Sequence, residues 1–223
     1  MFSKAFKGYG QRTIYADGKL RLVKTGGDPA WRNNNPGNLR AGAHSRIHGA
    51  IGNVGGFAVF PTYEAGREAL IWLLKKRTYR QKTVFDAIDD YAPKGDKNSP
   101  NQYRKNLRRL TGLDLDRKIK DLSQIEFVKL VDAIEKIEGN KAGAEETFKV
   151  RAIVGVQTNE KSVIVAYRIE GLGWKSKPEV IDLIGKGRVD GVIVQRGGKT
   201  YIRTRPDNTL SNNLDAMKPR RRR

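Results

Sequence analysis

Ile125-Glu-Phe-Val-Lys-Leu-Val-Asp-Ala-Ile-Glu-Lys-Ile-Glu138-Gly139 is the most informative stretch of the chain. Phe127, Val131 and Ile134 recur at helical spacing and mark one apolar face. At about 100° per residue, Glu138 returns to within about 20° of Phe127 on the helical wheel. The spacing therefore puts an acid on the apolar face at the end of a helix. Glu135 falls off that axis and Asp132 faces the polar side. Burial and the negative helix end both disfavour a carboxylate there, which raises its pKa as a general acid requires. The competing reading is that the helix frays at Gly139 and Glu138 turns to solvent.

Upstream, the sequence predicts helices over Thr83–Tyr91 and Asn101–Thr111, and one opening at Pro61-Thr62 with Thr62 as N-cap and running to about Lys76. Thr13–Gly26 reads as a hairpin around Asp17-Gly18, and Gly56–Phe60 as a short strand. Between these two elements lies a loop rich in Asn, Gly and Pro. The first 143 residues are thus expected to form a mostly α domain with a small β element. Downstream of Gly143 the pattern changes. Phe148–Gln157 and Ser162–Ile169 are β-branched and alternating, and a short helix follows at Lys177–Gly185. Strands are then expected on either side of Gly197-Gly198. Residues 148–215 read as a small α+β domain, followed by a basic tail over 216–223.

The chain has 223 residues, no cysteine and a formal net charge of +20. Disulfides, thiolate metal sites and thiol nucleophiles are excluded. Residues 148–223 hold 17 Lys and Arg against 7 Asp and Glu, so the smaller domain is the more basic per residue. Such a field attracts polyanions, with nucleic acid and the anionic bacterial envelope as the two candidates. No apolar stretch approaches the roughly 20 residues that cross a bilayer, and the N-terminal segment lacks the apolar core of a secretory signal. No membrane insertion is expected, and an enzyme acting on cell wall would need delivery from the cytoplasm by a phage particle, holin or injection system.

The remaining candidates each carry two readings. Asn33, Asn34, Asn35 and Asn38 can hydrogen-bond the hydroxyl and N-acetyl groups of a sugar, or can serve the turn around Pro36-Gly37. Glu64 is either a second catalytic carboxylate or an acid placed by the helix dipole. Tyr91, Asp96 and Tyr103 lie on or beside a polar connection between helices, which either lines a sugar cleft or is solvated. His44 and His48 are four apart in a loop without the partner acid of a zinc peptidase, so neither a metal nor another cofactor is expected.

Several of these strings carry a resemblance. Trp31-Arg-Asn-Asn-Asn-Pro-Gly-Asn-Leu-Arg40, Gly49-Ala-Ile-Gly52 and Gly56-Phe-Ala-Val-Phe-Pro-Thr-Tyr-Glu-Ala-Gly66 resemble a family of lysozyme-like peptidoglycan hydrolases found among phage virion proteins and secreted antibacterial effectors. Tyr91-Ala-Pro93 with Tyr103, and Ala133–Gly139, match later landmarks, so the likeness covers roughly residues 15–140. More distantly the chain is similar to bacterial glucosaminidases, in which the catalytic helix precedes the hairpin. Here it follows, which implies a permuted order of lysozyme-like parts. The resemblance implies an α+β fold with a mostly α lysozyme-like domain, and Glu138 as the acid that cleaves peptidoglycan glycan strands as a muramidase or lytic transglycosylase. It also implies Glu64 as the second carboxylate, if there is one, and peptidoglycan and a delivery apparatus or virion proteins as partners. The alternative is a basic nucleic-acid-binding protein or an inactive structural virion protein. Lys177–Ile184 and Tyr201–Leu214 resemble a small bacterial domain of unassigned function, which supplies a boundary and no activity.

Overall fold

The computed structural model describes residues 1–93, 99–204, 214, 217, 220 and 221. Asp96 lies outside the described residues. The chain divides into two compact units, one formed by residues 1–6 and 25–144 and the other by residues 7–24 and 145–223.

The helices of the first unit are α1 (Pro29–Arg32), α2 (Ala43–Ile47), α3 (Tyr63–Lys75), α4 (Arg77–Arg80), α5 (Val84–Tyr91), α6 (Pro100–Thr111) and α7 (Gln124–Glu138). Each long helix starts where a hydroxyl can cap it. Thr62, Thr83, Ser99 and Ser123 accept from the backbone N–H groups of Ala65, Asp86, Gln102 and Glu126. Glu126 completes a capping box by accepting from Ser123 N at 2.8 Å. The apolar stripes of α3, α5, α6 and α7 meet in one core, in which Leu70, Leu107, Leu130 and Ile134 are almost wholly removed from solvent. Burying each such side chain stabilises the unit by about 1.5–3 kcal/mol. β4 (Gly52–Val54) and β5 (Phe57–Val59) pair antiparallel, and β1 (Lys4–Lys7) joins β4 in parallel through Ala5 and Gly52.

In the second unit, β2 (Arg12–Asp17) and β3 (Leu20–Thr25) form the expected hairpin, and β6 (Ala144–Lys149) follows the first unit's last helix. β7 (Ile153–Thr158), β8 (Ile164–Ile169) and β9 (Gly173–Ser176) make an antiparallel meander. β12 (Arg220–Arg221) adds to β7 in parallel. The helix α8 (Lys177–Gly185) buries Val180 and Ile184 with Val156, Tyr167 and Ile169 of the meander. β10 (Val192–Arg196) and β11 (Lys199–Arg203) form a hairpin.

The expectation of a mostly α, lysozyme-like domain with a small or permuted β element is overturned. The structure is 36% helix and 29% strand, with β5-β4-β1 hydrogen-bonded in the first unit and β2-β3-β6 in the second. The physical reason lies in two strands without a sequence signal. β1 is held by a parallel pairing to residues 47 positions later, and β6 (Ala-Glu-Glu-Thr-Phe-Lys) is almost wholly exposed, so neither shows alternation of polar and apolar residues. The β2–β3 hairpin, read as a minor element of a helical domain, belongs to the second unit, where Ile14 and Val23 lie against Gly187.

Candidate active site

Glu138 is the last residue of α7, and its position is fixed from both sides. Phe127, Leu130, Val131 and Ile134 anchor the helix in the core. Beyond it, Gly139 adopts a φ of +80°, and a Cβ there would come within 2.7 Å of Asp28 Oδ2. Asp28 accepts from Lys141 N through its side chain at 2.7 Å and donates its own N–H to Lys141 O at 2.8 Å. The helix end is thus tied down, and Glu138 is half-buried with both oxygens occupied.

Tyr103 Oη donates to Oε1 at 2.9 Å and Asn38 Nδ2 donates to Oε2 at 3.0 Å. These partners come from α6 and from the turn that follows α1, so three separate segments converge on one carboxyl group. Burial raises the pKa of Glu138, and the two donated hydrogen bonds offset part of that rise. Burial, reinforced by neighbouring phenols and the Glu138 charge, holds the Tyr103 and Tyr91 hydroxyls well above the usual phenol range. Both therefore stay protonated at neutral pH. Tyr91 donates to Gly37 O, and its ring meets that of Tyr103 edge-on with centroids 6.1 Å apart.

A cleft of about 440 Å³ opens onto this group. Gly37, Asn38, His44, Asp90, Tyr91 and Glu138 are among its lining residues. Its size falls within the ~300–1,000 Å³ of ordinary ligand pockets. Asn38 sits at a φ of +45°, and its Oδ1 is buried without a hydrogen-bond partner among the described residues. His44 Nε2 lies 3.2 Å from Ala69 O, and burial lowers the His44 pKa, which keeps the ring neutral at neutral pH. Among the described residues no group of three or more His, Asp or Glu side chains gathers in the manner of a metal site.

The other sequence candidates separate cleanly. Asn35 is fully buried; its amide donates to Leu39 O and Ala58 O at 2.9 Å each, and its Oδ1 accepts from Leu39 N at 2.9 Å. Asn34 donates to Phe60 O at 3.2 Å and Pro61 O at 3.1 Å. Both side chains are spent on backbone groups, and of the four candidate asparagines only Asn38 is among the residues that line the cleft. Glu64 is exposed in the first turn of α3, where its own backbone N–H and then Thr62 hold its carboxyl below the usual range. It does not line the cleft.

Asp90 is the carboxylate that the sequence reading passed over. It stands on α5 next to Tyr91, lines the cleft, and pairs with Lys82 Nζ at 2.5 Å. Its adjacency to the Tyr91-Ala-Pro93 segment was the available signal.

Residues 148–217 match a family model described as a protein of unknown function (DUF3892). The match covers less than a third of the chain and lies within its second unit. No curated protein matches the chain.

Proposed function

We propose that the first unit is a peptidoglycan-cleaving enzyme in which Glu138 protonates the glycosidic oxygen. The observation that carries this reading is a half-buried carboxyl group with a raised pKa, aimed into a cleft and oriented by two donors on separate segments. A general acid must be neutral near the working pH and must not rotate away from the leaving group. Burial serves the first need and Tyr103 the second. Its hydroxyl donates to the carboxylate and can turn to accept from the neutral acid, so the group stays in place through the proton transfer. Tyr91 and Asn38, which line the cleft, suit the hydroxyl and acetamido groups of a glycan strand, whereas Tyr103 is buried behind the acid and does not line it.

Asp90 takes the place given to Glu64 as the second carboxylate. In a hydrolase it would stabilise the developing oxocarbenium centre or orient water; in a transglycosylase the substrate's own hydroxyl would attack instead. Cleavage of cell wall accords with a protein carried out of the cytoplasm by a virion or injection apparatus, in a lytic or antibacterial role. The deciding experiment is incubation of the full chain with purified sacculi, followed by mass spectrometry of the released muropeptides. Reducing ends indicate hydrolysis and anhydro ends transglycosylation. Intact glycan strands after prolonged incubation would remove the reading altogether.

A further inference from the structure

Two strongly basic segments of the first unit are joined by their backbones. Lys75-Lys-Arg-Thr-Tyr-Arg-Gln-Lys82 carries five cations and no acid, and Arg117-Lys-Ile-Lys120 carries three more. Val84 N donates to Arg117 O and Ile119 N to Lys82 O, both at 3.0 Å, and Thr83 bridges Lys118 in antiparallel fashion. Beside this junction is a hollow of about 230 Å³, lined by Lys75, Arg80, Lys120 and Gln124 over an apolar floor that includes Ile119 and Phe127. It shares no lining residue with the Glu138 cleft.

Among the described residues, two of the eight cations are neutralised. Lys82 pairs with Asp90 and Arg117 with Glu126, each at 2.5 Å. Among the described residues, no carboxylate stands at salt-bridge distance from Lys75, Lys76, Arg77, Arg80, Lys118 or Lys120. Three of these six, Lys75, Arg80 and Lys120, line the hollow; holding like charges there raises the free energy of the folded chain, and an apolar floor focuses their field outward. That cost is relieved by an external anion. Arg80 adds the planar fork that matches phosphate oxygens, while the lysines supply point charges.

The floor decides which phosphate. A nucleic-acid strand binds on exposed rings on which successive bases stack. Phe127 is the one ring among the described lining residues; it is only 7% exposed, and Lys75 Nζ stands 5.5 Å over its face. The hollow itself offers no stacking surface. We propose that this hollow binds phosphodiester groups of a polyol- or sugar-phosphate polymer. The site recognises charge and a compact aliphatic backbone, and it is independent of the chemistry at Glu138.

The test uses the full chain and fluorescently labelled poly(glycerol phosphate), with oligo(dT) of matched charge as the second arm. Binding is read by anisotropy at low and moderate salt. The variant Lys75→Gln/Arg80→Gln/Lys120→Gln is compared with Lys105→Gln/Arg108→Gln/Arg109→Gln, which removes three exposed charges from α6. The hollow variant should lose about tenfold or more in affinity for poly(glycerol phosphate). Its salt slope should fall by about two, as expected for three lost phosphate contacts at roughly 0.7 each. The α6 variant should stay within about threefold, since a diffuse field alone is at stake. Thermal melts verify that both variants fold. Equal losses in the two variants, tighter binding of oligo(dT), or no binding by the parent protein would each overturn the proposal. None of these readouts depends on glycan cleavage.

Discussion

Tyr103 Oη stands 2.9 Å from Glu138 Oε1 and reaches it from a different helix. A hydroxyl donated to a carboxylate favours the charged form, so this bond lowers the Glu138 pKa against the rise that burial imposes. Tyr103→Phe removes the donor and keeps the ring. The pKa of Glu138 should then rise further. Activity that needs the neutral acid disappears as pH passes upward through that pKa, so the alkaline limb of kcat/KM should move to higher pH. The pH–rate profile on soluble glycan fragments measures it, and a limb that stays in place would separate Tyr103 from the acid.

Glu138→Gln should lower turnover by on the order of 10²–10⁴-fold, the usual contribution of a general acid. The same substitution should stabilise the fold at neutral pH. A carboxyl group whose folded pKa is raised binds its proton more tightly in the native state than in the unfolded one. Its stabilising contribution is complete below the unfolded value near 4.5 and is lost as pH rises through the folded pKa. Above that window the parent carries a half-buried charge that the glutamine variant lacks. Thermal melts from pH 4 to 8 should show the Glu138→Gln advantage appear only on the alkaline side, while zymography on embedded peptidoglycan shows the loss of lysis.

Much of the secondary structure around the site was legible in the sequence, for local reasons. Thr62 announces its helix by capping chemistry, and the Phe127–Ile134 stripe places Glu138 on the buried side. What could not be read is non-local. The pairing of Ala5 with Gly52 and the exposed strand Ala144–Lys149 add β structure to each unit beyond the small element expected, and neither leaves a periodic trace. The asparagines show the same limit at the site. Composition makes Asn34, Asn35 and Asn38 equivalent, whereas two of them satisfy backbone groups and one holds the acid. Glu64 and Asp90 likewise differ only by which face of their helix meets the cleft.

Asn35→Ala tests the structural role assigned to the first of those asparagines. The substitution removes the Asn35 partners of Ala58 O and Leu39 N inside a site with no exposed surface, while Leu39 O keeps the bond from Ala58 N. Each buried group that loses its partner costs about 1–3 kcal/mol, so a loss of about 2 kcal/mol or more is expected. For a chain of this size that corresponds to a fall of roughly 4–8 °C in Tm. Any change in activity should track the unfolded fraction. A variant that melts normally yet binds glycan poorly would return Asn35 to the substrate site.

Gly66→Ala probes how the Asn-rich turn is held against α3. In an exposed helix interior this change gains about 1 kcal/mol from helix propensity. Here the added Cβ would stand 1.9 Å from Asn34 O and 3.0 Å from Pro36 Cδ. The carbonyl cannot step aside freely, because Asn34 is fixed at a φ of +49° by its amide bonds to Phe60 O and Pro61 O. Either the helix or the turn must move, and overpacking of this kind costs about 1–3 kcal/mol or more. The clash outweighs the propensity gain, so Tm should fall. The turn also carries Asn38, whose amide donates to Glu138, so loosening it should weaken that bond and shift the alkaline limb of activity upward. Gly42→Ala is the control. Gly42 has an extended backbone and nothing within 4 Å of an added Cβ, so its variant should melt and titrate like the parent. A Gly66→Ala protein as stable as the parent would show that α3 and the turn can separate without cost, and that the asparagine turn is positioned by some other contact.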